Sequence, residues 1–365
     1  MTVTINGTTG IVAPAFDGAV DAADLTGTVP SSAVPYVSGR NRIINGNMVI
    51  DQRNNGASVT GSYAVDRFEF QENSGSGYTV QRSSVAPSGF SNSLLITVTT
   101  AASASAGQTN RLIQRVEGHN IADLNFGSAN ASTVTLSFWV RSSLVGTYCA
   151  ALVNNAANRA YVAEYSISAA NTWEYKTITV AGDTTGTWET GTASGVQVTF
   201  DFGSGSDFNA TAGSWVAAND WRTTNQVNFA NTSGATFYIT GVQLEAGSIA
   251  TPFERRLYGQ ELALCQRYYY IRPRNDFESA RHHGFDVGTN RDKKQRFHPV
   301  TMRAAPSVTF TSSTAIRDDG LGITATFVAS ADASNIGVHI NTSPTQYGAG
   351  TVHSIGYGYT ADAEL

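Results

Sequence analysis

Apolar and polar residues alternate along much of this chain as they do in strands. In STVTLSFWVRS, Val134, Leu136, Phe138 and Val140 point one way while Thr135, Ser137 and Arg141 point the other. That is the period of two expected where one face of a sheet is buried. Similar β-branched and aromatic runs recur as RIINGNMVI, YAVDRFEF, NSLLITVTT, TYCAALV, AYVAEYSI, WEYKTITV, SGVQVTFDF and ATFYITGVQLE. Turn formers such as NNG (Asn54 to Gly56), GDTTGTW and GSGSD separate them. About ten such strands predict an antiparallel jelly-roll β-sandwich over residues 40–254. One interruption, EGHNIADLNFG from Glu117 to Gly127, reads as a short helical turn across an end of the sandwich.

Two segments depart from this pattern. Residues 1–39 contain three prolines, no Lys and no Arg, with apolar residues at no regular spacing. Such a segment cannot form a core alone and is expected to be extended, ordering on a partner. The second is ATPFERRLYGQELALCQRYYYIR, Ala250 to Arg272, where Tyr258, Leu262, Cys265 and Tyr269 fall at i, i+4, i+7 and i+11. That stripe predicts a short connecting helix over residues 255–272, stopped by Pro273, with an oligomer interface along the four side chains. Beyond it RHHGFDVG, QRFHPVTM, SVTFTSS, GITATFVAS, IGVHINTS and TVHSIGYGYTA predict a second, smaller C-terminal β-sandwich over residues 273–365. The fold class is therefore all-β.

Charge and composition narrow the function. The net charge is −5 with no basic block, which speaks against nucleic acid as a partner. No apolar run approaches the ~18 residues of a membrane span, so no membrane insertion is expected. The start, MTVTINGTTG, lacks the basic and apolar regions of a secretory signal. Cys149 and Cys265 have no metal-type spacing and read as buried, reduced thiols. Neither a metal nor a cofactor is expected. Asp66 and Glu69, three apart on a strand, diverge to opposite faces, and Asp318 and Asp319 diverge as neighbours. The adjacent His282 and His283 cannot chelate one ion from a strand. With no GxSxG, HExxH or P-loop, the chain does not read as an enzyme.

A resemblance sharpens this. NRIINGNMVIDQRNNG (Asn41 to Gly56), YAVDRFEF, TLSFWVRSS, NTWEYKTITVAGDTTGTW and ATFYITGVQLEAGSIATPFERRLYGQELALCQRYYY (Ala235 to Tyr270) together resemble phage tail-fibre or virion-fibre proteins with a carbohydrate-binding-module-like jelly roll. TINGTTGI and AADLTGTVPSSAV are similar to the leader segments of such fibres. The resemblance implies a non-catalytic structural virion fibre, a tail fibre or tail-tip component assembled in the host cytoplasm. It further implies a homotrimer, attachment to other virion proteins through residues 1–39, and binding of host cell-surface polysaccharide. A capsid-decorating head fibre without ligand, or a polysaccharide depolymerase, are the alternatives. In related modules acidic residues of the end strands hold a calcium ion. Here Asn47, Met48, Thr240 and Gly241 stand at those places, a poor oxygen-donor set.

Sugar binding needs exposed rings for pyranose faces and polar neighbours for hydroxyls. Trp188, Trp215 and Trp221 lie in turn-rich stretches, with Asp220 and Arg222 beside the last, and are the carbohydrate-binding candidates. Trp139, mid-strand, is expected in the core, and Trp173 at a strand start fits either role. Tyr347, His353, Tyr357 and Tyr359, in Gly-rich sequence near the C-terminus, are candidates for a distal recognition tip.

Overall fold

The computed structural model describes residues 39–61, 63–272, 278–280, 292–317, 322–323, 330–334, 336–342 and 353–365. Ser38–Leu365 form one compact unit. The expected anchor lies outside the described residues except for Gly39, as do Tyr347, His282, His283, Asp318 and Asp319.

Two antiparallel sheets face each other in a jelly-roll β-sandwich. The larger runs β1 (Tyr63–Val65), β2 (Phe68–Glu72), β5 (Asn110–Glu117), β10 (Ser194–Asp201), β7 (Gly146–Asn154), β8 (Ala160–Ile167) and β11 (Trp215–Val216), in that spatial order. The smaller runs β3 (Gly77–Ser83), β4 (Ser93–Thr100), β12 (Thr236–Ala246), β6 (Val134–Ser142) and β9 (Glu174–Val180). Between them the inward side chains interdigitate. Phe138 of β6 meets Phe200 of β10 at 5.0 Å and Tyr165 of β8 at 5.1 Å, both edge to face. Each such side chain, taken wholly out of water, stabilises the fold by about 1.5–3 kcal/mol.

Several expectations need correcting. RIINGNMVI is not a strand. Asn45 and Met48 have φ of 60° and 58°, so the segment bulges, touching β12 through Arg42 N to Leu244 O and Val242 N to Gly46 O. The buried Asn45 amide holds the bulge by donating to the Ile50 and Asp66 carbonyls at 2.8 and 3.0 Å. YAVDRFEF is two strands, β1 and β2, split at Arg67 with φ of 74°. β3 and β5 fall outside the expected strand runs because Arg, Gln and Ser interrupt their apolar alternation. Glu117 to Gly127 does carry 3-10 turns, Gly118–Asn120 and Ala122–Leu124.

The helix α1 covers Tyr258–Gln266, shorter than the stripe implied. Tyr269 has already entered β13 (Tyr269–Arg272). The face turned to the sandwich is Glu261, Cys265 and Tyr268, all buried, while Tyr258 is 64% exposed. Leu262 is half-buried and packs with Cys265 against Ile44 and Ile50 of this same chain. Tyr258, Leu262, Cys265 and Tyr269 therefore do not share one outward face. Carboxylate anchors replace the expected apolar stripe. Glu261 Oε1 accepts from Asn45 N. Arg267 and Tyr268 both donate to Glu117, at 2.6 Å from Nη2 and 2.8 Å from the phenol.

Further β14 (Glu278–Ala280), β15 (Asp292–Phe297), β16 (Ser307–Arg317), β17 (Gly322–Ile323), β18 (Ser330–Ser334), β19 (Gly337–Thr342) and β20 (His353–Asp362) follow. They build two smaller antiparallel sheets, β13-β20-β16-β17 with β14 also on β20, and β15-β19-β18. His353 and Tyr357 lie in β20, and Tyr359 is fully buried, ringed by Tyr270 and Phe310.

Candidate functional site

The tryptophans chosen from sequence divide into two clusters. Trp221 is 1% exposed and belongs to the covering of the larger sheet's outer face. Its ring stacks on Phe208 at 3.8 Å and 20°, and the Arg111 guanidinium lies 3.8 Å from its centroid. Its indole N–H is spent on Ser204 Oγ at 3.0 Å. Both ring contacts and the N–H are used internally, so Trp221 offers no stacking surface. Burial beside Arg115 also pushes the Arg111 guanidinium down to about 10. Asp220 is buried too, and desolvation raises its carboxyl. Arg222 is stitched into the same crossing, its backbone N–H donating to Phe208 O and its carbonyl accepting from Ala210 N.

This crossing fills a face that would otherwise be open. Cys149, Ala151 and Val153 of β7 and Val162 of β8 point outward and are covered by Trp221 with Phe208, Ala210 and Val216. Asp201 organises the start of the crossing, accepting from Gly203 N, Ser204 N and Gln226 Nε2. Desolvation raises its carboxyl despite these bonds.

Trp188 and Trp215 pack edge to face at 5.4 Å, with Phe126 4.8 Å from Trp188 and Tyr161 5.4 Å from Trp215. Their N–H groups donate to Thr185 O and Ala181 O. The cluster packs against the main core with Trp215 half-buried, and Trp188 and Phe126 border a small pocket of about 210 Å³ with Asn125 and Glu189. These rings chiefly serve packing.

A further aromatic surface lies on the outer face of the smaller sheet. Trp139 points outward from β6, opposite Tyr175 of β9 and Thr240 of β12. It is half-buried, not in the core, and its ring lies 5.3 Å from that of Tyr175, which is 43% exposed. Parity contained this signal, since Trp139 shares the register of Thr135, Ser137 and Arg141. Trp173 is half-buried beside Tyr238 at 6.1 Å, and Arg141 lies 4.9 Å from the Tyr238 ring.

A groove of about 440 Å³ runs along this face, lined by Phe90, Trp139, Tyr175, Gly241, Phe253 and Arg255 among others. Phe90 and Phe253 meet edge to face at 5.2 Å, and Arg255 lies over Phe90 at 4.8 Å. Gly241 forms the floor. Its φ is +63°, and a Cβ there would come within 2.7 Å of Phe90 Cζ. The wall carrying Phe253 is fixed by a buried network. Thr251 donates to Glu245 through N at 2.9 Å and Oγ1 at 2.6 Å, and Glu254 N donates to Gln243 Oε1 at 2.7 Å. Removing one partner from such a network costs about 1–3 kcal/mol, so the wall is held firmly.

Among the described residues no group of three or more His, Cys, Asp or Glu side chains is placed to hold a metal ion. No helix among them is long and apolar enough to cross a membrane. The groove offers rings, the Tyr175 hydroxyl and the Arg255 guanidinium, the equipment for holding a polar ligand with flat apolar patches.

No family model and no curated protein matches this chain. Solved structures similar to it include the enzymatically active domain of bacteriophage CBA120 tailspike protein 4, at 14% identity and TM-score 0.32, covering 58% of this chain and 22% of that one. The chain thus spans about a fifth of that tailspike domain's length. TmCBM61 in complex with beta-1,4-galactotriose matches at 11% identity and TM-score 0.29, covering 57% of this chain and 99% of that one. A putative sugar binding protein from Bacteroides thetaiotaomicron matches at 14% and 0.31, covering 57% and 100%. At such scores none of them says what this chain binds.

Proposed function

We propose that this protein is a non-catalytic attachment component of a phage virion fibre, holding host surface glycan in the groove on the outer face of the smaller sheet. The observation that carries the reading is the pairing of Trp139 and Tyr175, two rings presented side by side to solvent from neighbouring strands. Outward rings on a rigid sheet lose little freedom when a sugar stacks on them, and desolvating ring and pyranose faces is favourable. The exposed Arg255 guanidinium and the Tyr175 hydroxyl beside them supply hydrogen-bonding groups for sugar hydroxyls.

In this reading residues 1–39 tie the chain to other virion proteins, and weak single sites gain avidity in a homotrimer. An array of bacterial surface glycans, scored for both retention and fragment release, tests it. Retention without fragments, lost in Trp139→Ala, is the expected result. Fragment release would replace attachment by depolymerisation. Retention indifferent to Trp139 would remove the groove from the account.

A further inference from the structure

The groove and its surroundings are electrostatically one-sided in a chain whose net charge is −5. Arg141 lies two residues along β6 from Trp139, about 7 Å away at strand spacing, and Arg255 lies at the groove's other side over Phe90. Each guanidinium is steadied by a backbone carbonyl, Arg141 Nε by Asn171 O at 2.8 Å and Arg255 Nη2 by Gly89 O. Neither pairs with a carboxylate among the described residues. Arg53, Arg67, Arg159 and Arg267 all do.

The carboxylates that neighbour groove residues in sequence or by hydrogen bond are committed elsewhere. Glu174 accepts from Ser168 N, Ala169 N and Lys176 Nζ. Glu245 accepts from Thr251 and Gln243. Glu254 accepts from Gly39 N and Asn41 N. The face is left with two cations bracketing a row of rings.

We infer that the glycan held here is acidic, a polyuronate whose carboxylates meet Arg141 and Arg255 while its ring faces lie on Trp139 and Tyr175. The inference rests on the glycan reading of this same groove. A guanidinium presents a planar fork of N–H donors that matches a carboxylate, and one anchored by a single carbonyl keeps donors to spare. A sugar acid has both features this face asks for, an apolar pyranose patch and an anionic edge.

The test immobilises polygalacturonate, polyglucuronate and polymannuronate, each beside the same polymer after carboxyl reduction, with dextran sulfate as a further polyanion. The whole protein should bind at least one polyuronate about tenfold more tightly than its reduced form at low salt. That preference should shrink as salt rises. Arg141→Gln and Arg255→Gln should each erode the preference, and Arg141→Lys and Arg255→Lys, which keep the stem packed, should restore part of it. Trp139→Ala should weaken binding to both forms. No preference for any of the three polyuronates would overturn the inference, as would a preference that survives in the double Gln variant. Equal retention on dextran sulfate would also overturn it, reducing the effect to general ion exchange. If binding of neutral and acidic polymers alike ignores Trp139, it is the glycan reading of the groove that fails.

Discussion

Trp139 and Tyr175 stand directly opposite each other on β6 and β9, their ring centroids 5.3 Å apart and their planes inclined by 44°. Tyr175 belongs to an edge strand of the smaller sheet and is held by backbone pairing, not by burial of its ring. Tyr175→Ala should therefore leave the unfolding midpoint within the range of ordinary surface substitutions, about 0.5 kcal/mol. Its effect on glycan retention should be larger, several-fold to tenfold for a lost stacking surface. Affinity electrophoresis beside thermal unfolding separates the two. Parallel losses in both would make the ring structural.

Gly241 and Gly259 should respond oppositely to the same substitution. At Gly241 alanine meets a φ of +63° and a contact of 2.7 Å to Phe90 Cζ, with Trp139 Cδ1 at 3.2 Å. Strain of about 1–3 kcal/mol and a shifted Phe90 should lower both the melting temperature and retention. Gly259 lies inside α1 with nothing within 4 Å of an added Cβ. Gly259→Ala should stabilise by about 0.4–1 kcal/mol, through helix propensity and a less flexible unfolded chain. A melting temperature unchanged at both positions would contradict the packing described for each.

The sandwich was legible in the sequence because period-two patterning survives wherever one face of a strand is buried. β6 and β9 could be read for that reason. β5 could not, because the buried polar Asn110 and Gln114 stand in the inward register of Leu112 and Val116, while apolar Ile113 falls in the other. The helix was legible in existence but not in orientation. A buried glutamate, Glu261, leads its packed face, and its carboxylate is met by the Asn45 N–H of the bulge and by Arg256. Ring exposure does not follow the expectation that turn-borne tryptophans are open and strand-borne ones are core. Turn-borne Trp221 was buried by a segment that folds back over the larger sheet, a tertiary event without a local signature. Strand-borne Trp139 is outward by parity, although its mid-strand position points to the core.

Acid should weaken the joint between α1 and the sandwich. Glu117 is 1% exposed, and burial alone would raise its carboxyl, but hydrogen bonds from Arg267 and Tyr268 outweigh that and hold it below the ordinary 4.5. Asp183, gripped by Arg159 at 2.6 and 2.8 Å, is likewise held low against desolvation. For an acid with a depressed folded pKa the stabilisation is full above the unfolded pKa and is lost as pH falls through the folded one. Stability should thus decline below about pH 4.5. Asp66 and Asp201, raised by burial, oppose this by binding protons more readily in the folded state. Glu117→Gln should flatten the acid limb of a urea-denaturation series. An unchanged limb would mean that Glu117 is no more ionised in the folded protein than in the unfolded chain.

The two cysteines report whether helix and sandwich open together. Cys149 is buried under Thr223, its Sγ 3.6 Å from the hydroxyl, and desolvation pushes its thiol up to about 11. At pH 8 only about a thousandth of such a thiol is ionised, and the thiolate is the reactive form. Cys265 lies in the interface between α1 and Ile44 and Ile50, and burial pushes its thiol well up too. Neither thiol is in a disulfide. Both should therefore resist an aromatic disulfide reagent until the chain unfolds. The links Glu261 to Asn45 and Arg267 to Glu117 tie the helix to the sandwich, as does the Arg67 guanidinium stacked 3.5 Å from the Tyr268 ring. One cooperative transition should then expose both thiols, giving a single phase in native buffer and the same rate for Cys149→Ser and Cys265→Ser. A Cys265 that reacts well before Cys149 would show α1 detaching on its own, and with it a real boundary near residue 255 between the sandwich and the C-terminal strands.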